Sequence, residues 1–124
     1  MRKILAIMLL LAIFAGCTAK TENGYAMISQ KEAKEIMDSG ENYIILDVRN
    51  QDEYDEKHIP GAILIPNTEI ETRAEDELPD KNQLILVYCR SGNRSKKASQ
   101  ILADMGYTNV KEFGGINEWP YETE

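Results

Sequence analysis

The segment Cys89-Arg90-Ser91-Gly92-Asn93-Arg94-Ser95 holds the residues best suited to chemistry in this chain of 124 residues. It begins with a cysteine and adds two arginines, two serines and a glycine within seven positions. A thiol at the start of a helix sits at the positive end of the helix dipole, which favours the thiolate, the nucleophilic form. Gly92 lets the backbone turn so that successive N–H groups converge on one spot, where an anion can be held. Arg90 and Arg94 suit the same anion, and Ser91 and Ser95 add hydroxyl donors, Ser95 being equally suited to a helix N-cap. A thiol so placed ionises easily and holds an anion beside its sulfur, which marks a reaction site or the remains of one. Arg90, Arg94, Lys96 and Lys97 crowd four bases into eight positions. Acids are the favoured residues at a helix start, so this basic cluster points to a ligand.

The elements that must position this loop can be read on either side of it. The apolar, β-rich run 84–88 has the length of a buried strand. Over 96–105, Ala98, Ile101, Leu102 and Met105 recur at helical spacing. Upstream, 25–28 reads as a brief strand. Ser29 with Glu32 forms a capping box that opens a helix ending near Ser39-Gly40. A strand over 43–48 follows, and Asn50 with Glu53 repeats the cap-then-acid pattern of a short helix. His58-Ile59-Pro60-Gly61 reads as a turn, 62–65 as a strand and 68–77 as a helix. After the loop and its helix come a strand over 110–113, a turn at Gly114-Gly115 and a short helix over 116–119. Strands alternating with helices predict a single α/β domain, with a mainly parallel sheet of about five strands and helices on both faces. Asp52, Glu53, Asp55 and Glu56 read as a solvated helix face and not as a metal site. Trp119 and Tyr121 read as cover for the edge of the core.

The N-terminal stretch has a different character. Arg2 and Lys3 precede twelve uncharged apolar residues, 4–15, and then Gly16-Cys17. Twelve residues are too few to span a bilayer, which takes about 20. The pattern predicts a signal peptide over 1–16, a tether over 17–24 and the folded domain over 25–124. With Cys17 directly after Ala15-Gly16, the segment resembles a bacterial lipoprotein signal, with Phe14 where that family usually has leucine. The resemblance implies lipidation of Cys17 and attachment to the extracytoplasmic side of the cell membrane. Loss of 1–16 leaves 12 basic residues against 21 acidic ones. So acidic a chain argues against nucleic acid and against electrostatic binding to anionic lipid, leaving the lipid on Cys17 as the membrane contact. With Cys17 lipidated, Cys89 is the one free thiol, unpaired in an oxidising compartment, a liability unless the thiol is used.

Ordered motifs on both sides of the cysteine loop join it in resembling the rhodanese-like sulfurtransferases, over nearly all of 28–122. Ile45-Leu46-Asp47-Val48-Arg49, Glu53-Tyr54 and His58-Ile59-Pro60-Gly61-Ala62 look like that family's N-terminal signature. Phe113-Gly114-Gly115-Ile116 with Trp119 looks like its C-terminal one. The resemblance implies Cys89 as the catalytic residue and residues 90–95 (Arg90, Ser91, Gly92, Asn93, Arg94 and Ser95) as substrate-binding. It also implies structural roles near the site for Asp47, Arg49 and His58, and no metal or other cofactor. Sulfane sulfur would pass from thiosulfate, a persulfide or a polysulfide, as a small anionic donor, to a thiol or cyanide acceptor through a Cys89 persulfide. One alternative is a non-turnover persulfide carrier that serves a sulfur-accepting partner protein. The other is a phosphatase or arsenate reductase. Cysteine-dependent phosphatases have five residues between cysteine and arginine, and here Arg90-Ser91-Gly92-Asn93 makes four. The narrower cradle favours sulfur.

Overall fold

Pairing of strands distant in sequence is the feature of the computed structural model that places the loop. The structure describes residues 20–22 and 24–124. The signal and lipidation readings, Cys17 included, lie outside the described residues. Among the described residues, six strands form one sheet: β1 (Lys20–Glu22), β2 (Tyr25–Met27), β3 (Tyr43–Asp47), β4 (Ile63–Leu64), β5 (Leu84–Cys89) and β6 (Val110–Gly115). Their spatial order is β1-β2-β6-β5-β3-β4, with all neighbours parallel except β1 and β2. The expected fold class, α/β with five parallel strands, is present. One correction concerns the tether. Lys20–Glu22 pairs antiparallel with β2, Lys20 opposite Met27, because an edge strand needs backbone partners and not an apolar sequence.

Among the described residues, four α-helices cover the sheet: α1 (Gln30–Asp38), α2 (Gln51–Glu56), α3 (Ile70–Glu77) and α4 (Asn93–Asp104). The Ser29–Glu32 capping box forms as expected, with the Ser29 hydroxyl accepting from the Glu32 N–H and the Glu32 carboxylate accepting from the Ser29 N–H. Helix α4 begins at Asn93, three residues before the expected start, with Gly92 as N-cap at φ 109°, a conformation that suits glycine. Gly114 and Gly115, expected as a turn, instead end β6, where the register shifts and Gly115 pairs with Cys89. That pairing holds the strand on past Phe113.

Period-two alternation along β5 feeds two cores. Ile85, Val87 and Cys89 join Ile70, Ala74, Leu78, Ala98 and Leu102 beneath α3 and α4. Leu84, Leu86 and Tyr88 join Ala33, Ile59, Phe113 and Trp119 on the other face. Every residue of β5 is buried, as a parallel strand covered on both faces requires. Cys89 thus ends the strand between β6 and β3, on the face covered by α4. The carboxyl ends of central strands are where open α/β sheets bind ligands.

Candidate active site

Backbone and side-chain groups meet at the Cys89 sulfur within a buried corner. Cys89 is only 1% exposed. The Gly92 N–H donates to Sγ at 3.0 Å, and the Cys89 thiol donates to the Ser95 Oγ at 3.3 Å. Gly92 reaches the sulfur because its left-handed φ folds the loop back over the strand end. Ser95 is buried inside the first turn of α4, not at the cap, and its hydroxyl lies 3.0 Å from the Gly92 carbonyl oxygen. Ser91 and Asn93 are exposed on the rim of the loop.

The two arginines do not stand free. Arg90 Nε donates to Glu53 Oε2 at 2.9 Å, while Arg94 Nη1 and Nη2 grip both oxygens of the same carboxylate at 2.9 and 3.0 Å. Glu53 Oε1 also accepts from the Asn50 N–H that opens α2. The forked Arg94 contact comes first among the causes holding the Glu53 carboxyl far below its ordinary range, and burial opposes it. The same pair raises the pKa of Arg94. Glu53 was expected on a solvated face with Asp52, Asp55 and Glu56. It is instead only 13% exposed, because α2 lays its first turn against the loop that follows β5. Two cations and one carboxylate leave the loop mouth with a single net positive charge.

Behind the loop, Asp47 and Arg49 form a buried ion pair with Nη2–Oδ2 at 2.7 Å and Nε also on the carboxylate. Tyr88 donates its phenol to Asp47 Oδ2 at 2.6 Å and accepts from the Ile59 N–H. Burial, then the Asp47 charge, pushes the Tyr88 phenol well above its ordinary range. Arg49 Nη2 also donates to the Lys57 carbonyl oxygen at the end of α2. The pair therefore ties down the end of the helix that carries Glu53. His58 stacks flat on Tyr54 with ring centroids 3.8 Å apart. Its Nε2 lies 3.3 Å from a Glu124 carboxylate oxygen, and its backbone exchanges two hydrogen bonds with Glu124. It fastens the C-terminal segment and does not touch the sulfur.

One buried residue of the site was missed in the sequence. Glu112 on β6 is 2% exposed, and its Oε2 accepts from the Ser95 hydroxyl at 2.5 Å and from the Gly114 N–H at 3.0 Å. Its alternation with Val110, which enters the α4-side core, was the available signal. Lys111-Glu112 reads in isolation as a polar edge.

Glu53→Gln is expected to lower stability by about 2 kcal/mol at neutral pH, the scale of hydrogen bonds to charged groups. Because the folded pKa of Glu53 lies below its ordinary value near 4.5, its contribution is complete above that value. The contribution is lost as pH falls through the folded pKa. Urea unfolding at pH 7 and at pH 3 should therefore show the gap between wild type and variant narrowing in acid. A gap independent of pH would exclude this role for the carboxylate.

Comparisons with known proteins agree with this geometry. The family model described as "Rhodanese-like domain" matches residues 29–121. The thiosulfate sulfurtransferase PspE of Escherichia coli is 42% identical over 73 residues, 59% of this chain and 70% of its own length. The putative sulfur carrier protein YrkF of Bacillus subtilis is 40% identical over 98 residues, 78% of this chain but 52% of its own length. Among solved structures, a rhodanese with anions from E. coli superimposes with a TM-score of 0.62 at 38% identity, covering 66% of this chain and 96% of that one. With the loop, the sheet order and the match over 29–121 in agreement, the chain belongs to the rhodanese-like domain family.

Proposed function

We propose that this protein is a sulfurtransferase that carries sulfane sulfur on Cys89. The carrying observation is the Cys89 sulfur at the end of β5, under the Gly92 N–H at 3.0 Å, with four residues between it and Arg94. In the first half-reaction the Cys89 thiolate attacks the outer sulfur of thiosulfate. The S–S bond of the donor breaks and sulfite leaves with the bonding electrons. In the second, a thiol or cyanide attacks the outer sulfur of the persulfide and Cys89 departs as thiolate. Arg90 and Arg94 draw the anionic donor to the loop mouth, and Glu53 moderates that attraction.

The test is intact mass after incubation with thiosulfate, on the full-length chain carrying Cys17→Ser so that Cys89 is the only thiol. A gain of one sulfur, absent when Cys89→Ala is added, is the expected result. No gain with thiosulfate or with polysulfide would end the sulfur reading.

The carrier reading has its own support in YrkF, a putative sulfur carrier protein, and in the burial of Cys89. Steady turnover of thiosulfate with cyanide favours the enzyme, whereas stable loading without turnover favours the carrier. The run Phe14-Ala15-Gly16-Cys17 supports export and lipid attachment at Cys17. Fatty-acid labelling in a bacterial host should mark the chain and vanish in Cys17→Ser.

A further inference from the structure

We propose that Glu112, acting through the Ser95 hydroxyl, is the internal acceptor for the Cys89 thiol proton. This rests on Cys89 being the reacting group of the proposed function.

The hydrogen bonds run in one direction. The Cys89 thiol donates to Ser95 Oγ at 3.3 Å, and Ser95 donates to Glu112 Oε2 at 2.5 Å. Ser95 has one hydroxyl proton and two acceptors within reach, Glu112 and the Gly92 carbonyl oxygen at 3.0 Å. The shorter, charge-assisted bond to the carboxylate takes it. Ser95 therefore shows the sulfur a lone pair, and in this state it holds the thiol rather than the thiolate. The residue expected to donate toward bound sulfur is a proton acceptor at rest.

Reversing the chain makes the nucleophile. The Sγ–H bond breaks and Ser95 Oγ takes that proton while passing its own to Glu112 Oε2. The array then reads carboxylic acid to hydroxyl to thiolate, with Ser95 now donating to Sγ beside the Gly92 N–H. No proton enters or leaves, and the buried trio keeps one negative charge throughout. Loss of the thiol proton to solvent would instead leave thiolate and carboxylate both charged in a dry corner, which low polarity penalises. When the acceptor takes the sulfur and Cys89 leaves as thiolate, the proton returns along the same path.

Charged groups on three sides bear on this step. Arg90 and Arg94 lie on the loop and α4, and the Arg94 charge acts on Cys89. Glu53 reaches both arginines from α2, and the Asp47–Arg49 pair lies behind Tyr88. Glu112 Oε2 accepts from the Gly114 N–H at 3.0 Å as well as from Ser95.

The pH profile of alkylation by iodoacetamide separates this role from a structural one, because a thiolate made by internal transfer needs no proton released to solvent beforehand. In the full-length chain with Cys17→Ser, the alkylation rate of Cys89 should stay flat between about pH 6 and pH 8. In Glu112→Gln, and in Ser95→Ala, which keeps the carboxylate but removes the link, the rate should rise about tenfold per pH unit, as for an ordinary thiol. Ser95→Ala also keeps the test valid if Glu112→Gln does not fold. A wild-type rate that climbs with pH, a flat profile in either variant, or a thiol that never alkylates would each overturn the relay. Thiosulfate in place of iodoacetamide gives an independent arm. A flat profile with no sulfur gain would uphold the relay while the persulfide reading fails.

Discussion

Gly115→Ala is expected to abolish sulfur loading on Cys89, although residue 115 carries no side chain of its own. Its backbone is extended, with φ −127° and ψ 152°, so the conformation suits alanine. The obstacle is space. A Cβ at 115 would lie 2.0 Å from the Arg90 carbonyl oxygen, 2.5 Å from its carbon and 2.6 Å from the Ser91 Cα. All three are backbone atoms, so no side-chain rotation relieves the clash. The loop must lift from β6, breaking the Asn117 N–H to Arg90 carbonyl bond at 3.2 Å and moving the sulfur out of the Gly92 N–H. Overpacking of this kind costs about 1–3 kcal/mol or more, and a displacement of about 1 Å at a reacting group can lower rates about a hundredfold. Gly114→Ala is the control. Its φ of 97° disfavours alanine, but a Cβ there meets only Gln30 Nε2, at 3.4 Å. It should lower stability by about 1–2 kcal/mol while leaving most loading intact. Equal loading by both variants in the mass assay would show that close contact between loop and strand is dispensable.

Asp47→Ala should be the most destabilising single change near the site. It leaves the Arg49 guanidinium buried without its carboxylate, a situation that costs about 3–5 kcal/mol. Burial works against the Arg49 charge and Asp47 outweighs it, so that the Arg49 pKa is raised in the intact pair. The Tyr88 phenol loses its acceptor in the same stroke. For a domain of this size the melting temperature should fall by on the order of 15 °C. The double variant Asp47→Leu with Arg49→Met removes both charges and should recover part of that loss, because the penalty lies in the orphaned charge. Thermal unfolding of the two variants checks this, and a double variant less stable than Asp47→Ala would contradict it. Loosening of α2 follows as well, since Arg49 ties down the Lys57 carbonyl beyond Glu53.

Much of the architecture is local in origin. The capping box at Ser29 and the fully apolar run of β5 each act within a few residues, so composition and spacing reveal them, whereas the helix after the loop starts at Asn93 under the Gly92 cap and not at 96. The departures arise where backbone pairing overrides composition. Lys20–Glu22 is polar yet pairs at an edge, and Gly114-Gly115 has turn chemistry yet is held in β6 opposite Cys89. Asp47 and Arg49, two positions apart, could be placed near the site from the motif they share, but their ties to Tyr88 and Lys57 span the fold.

The candidate nucleophile Cys89, the strand and helix on either side of it, the four-residue spacing to Arg94 and the α/β class are legible in the chain alone. These are short-range properties, written in neighbouring residues. The grip of Arg90 and Arg94 on Glu53 and the bond from Ser95 to Glu112 come from long-range contacts. Glu53 lies 41 positions from Arg94, and Glu112 lies 17 from Ser95. An acid on a short helix or a polar strand end reads the same whether it faces water or a buried partner. The sheet order β6-β5-β3 removes that ambiguity, because it sets the helix after β3 on one side of the loop and the end of β6 on the other.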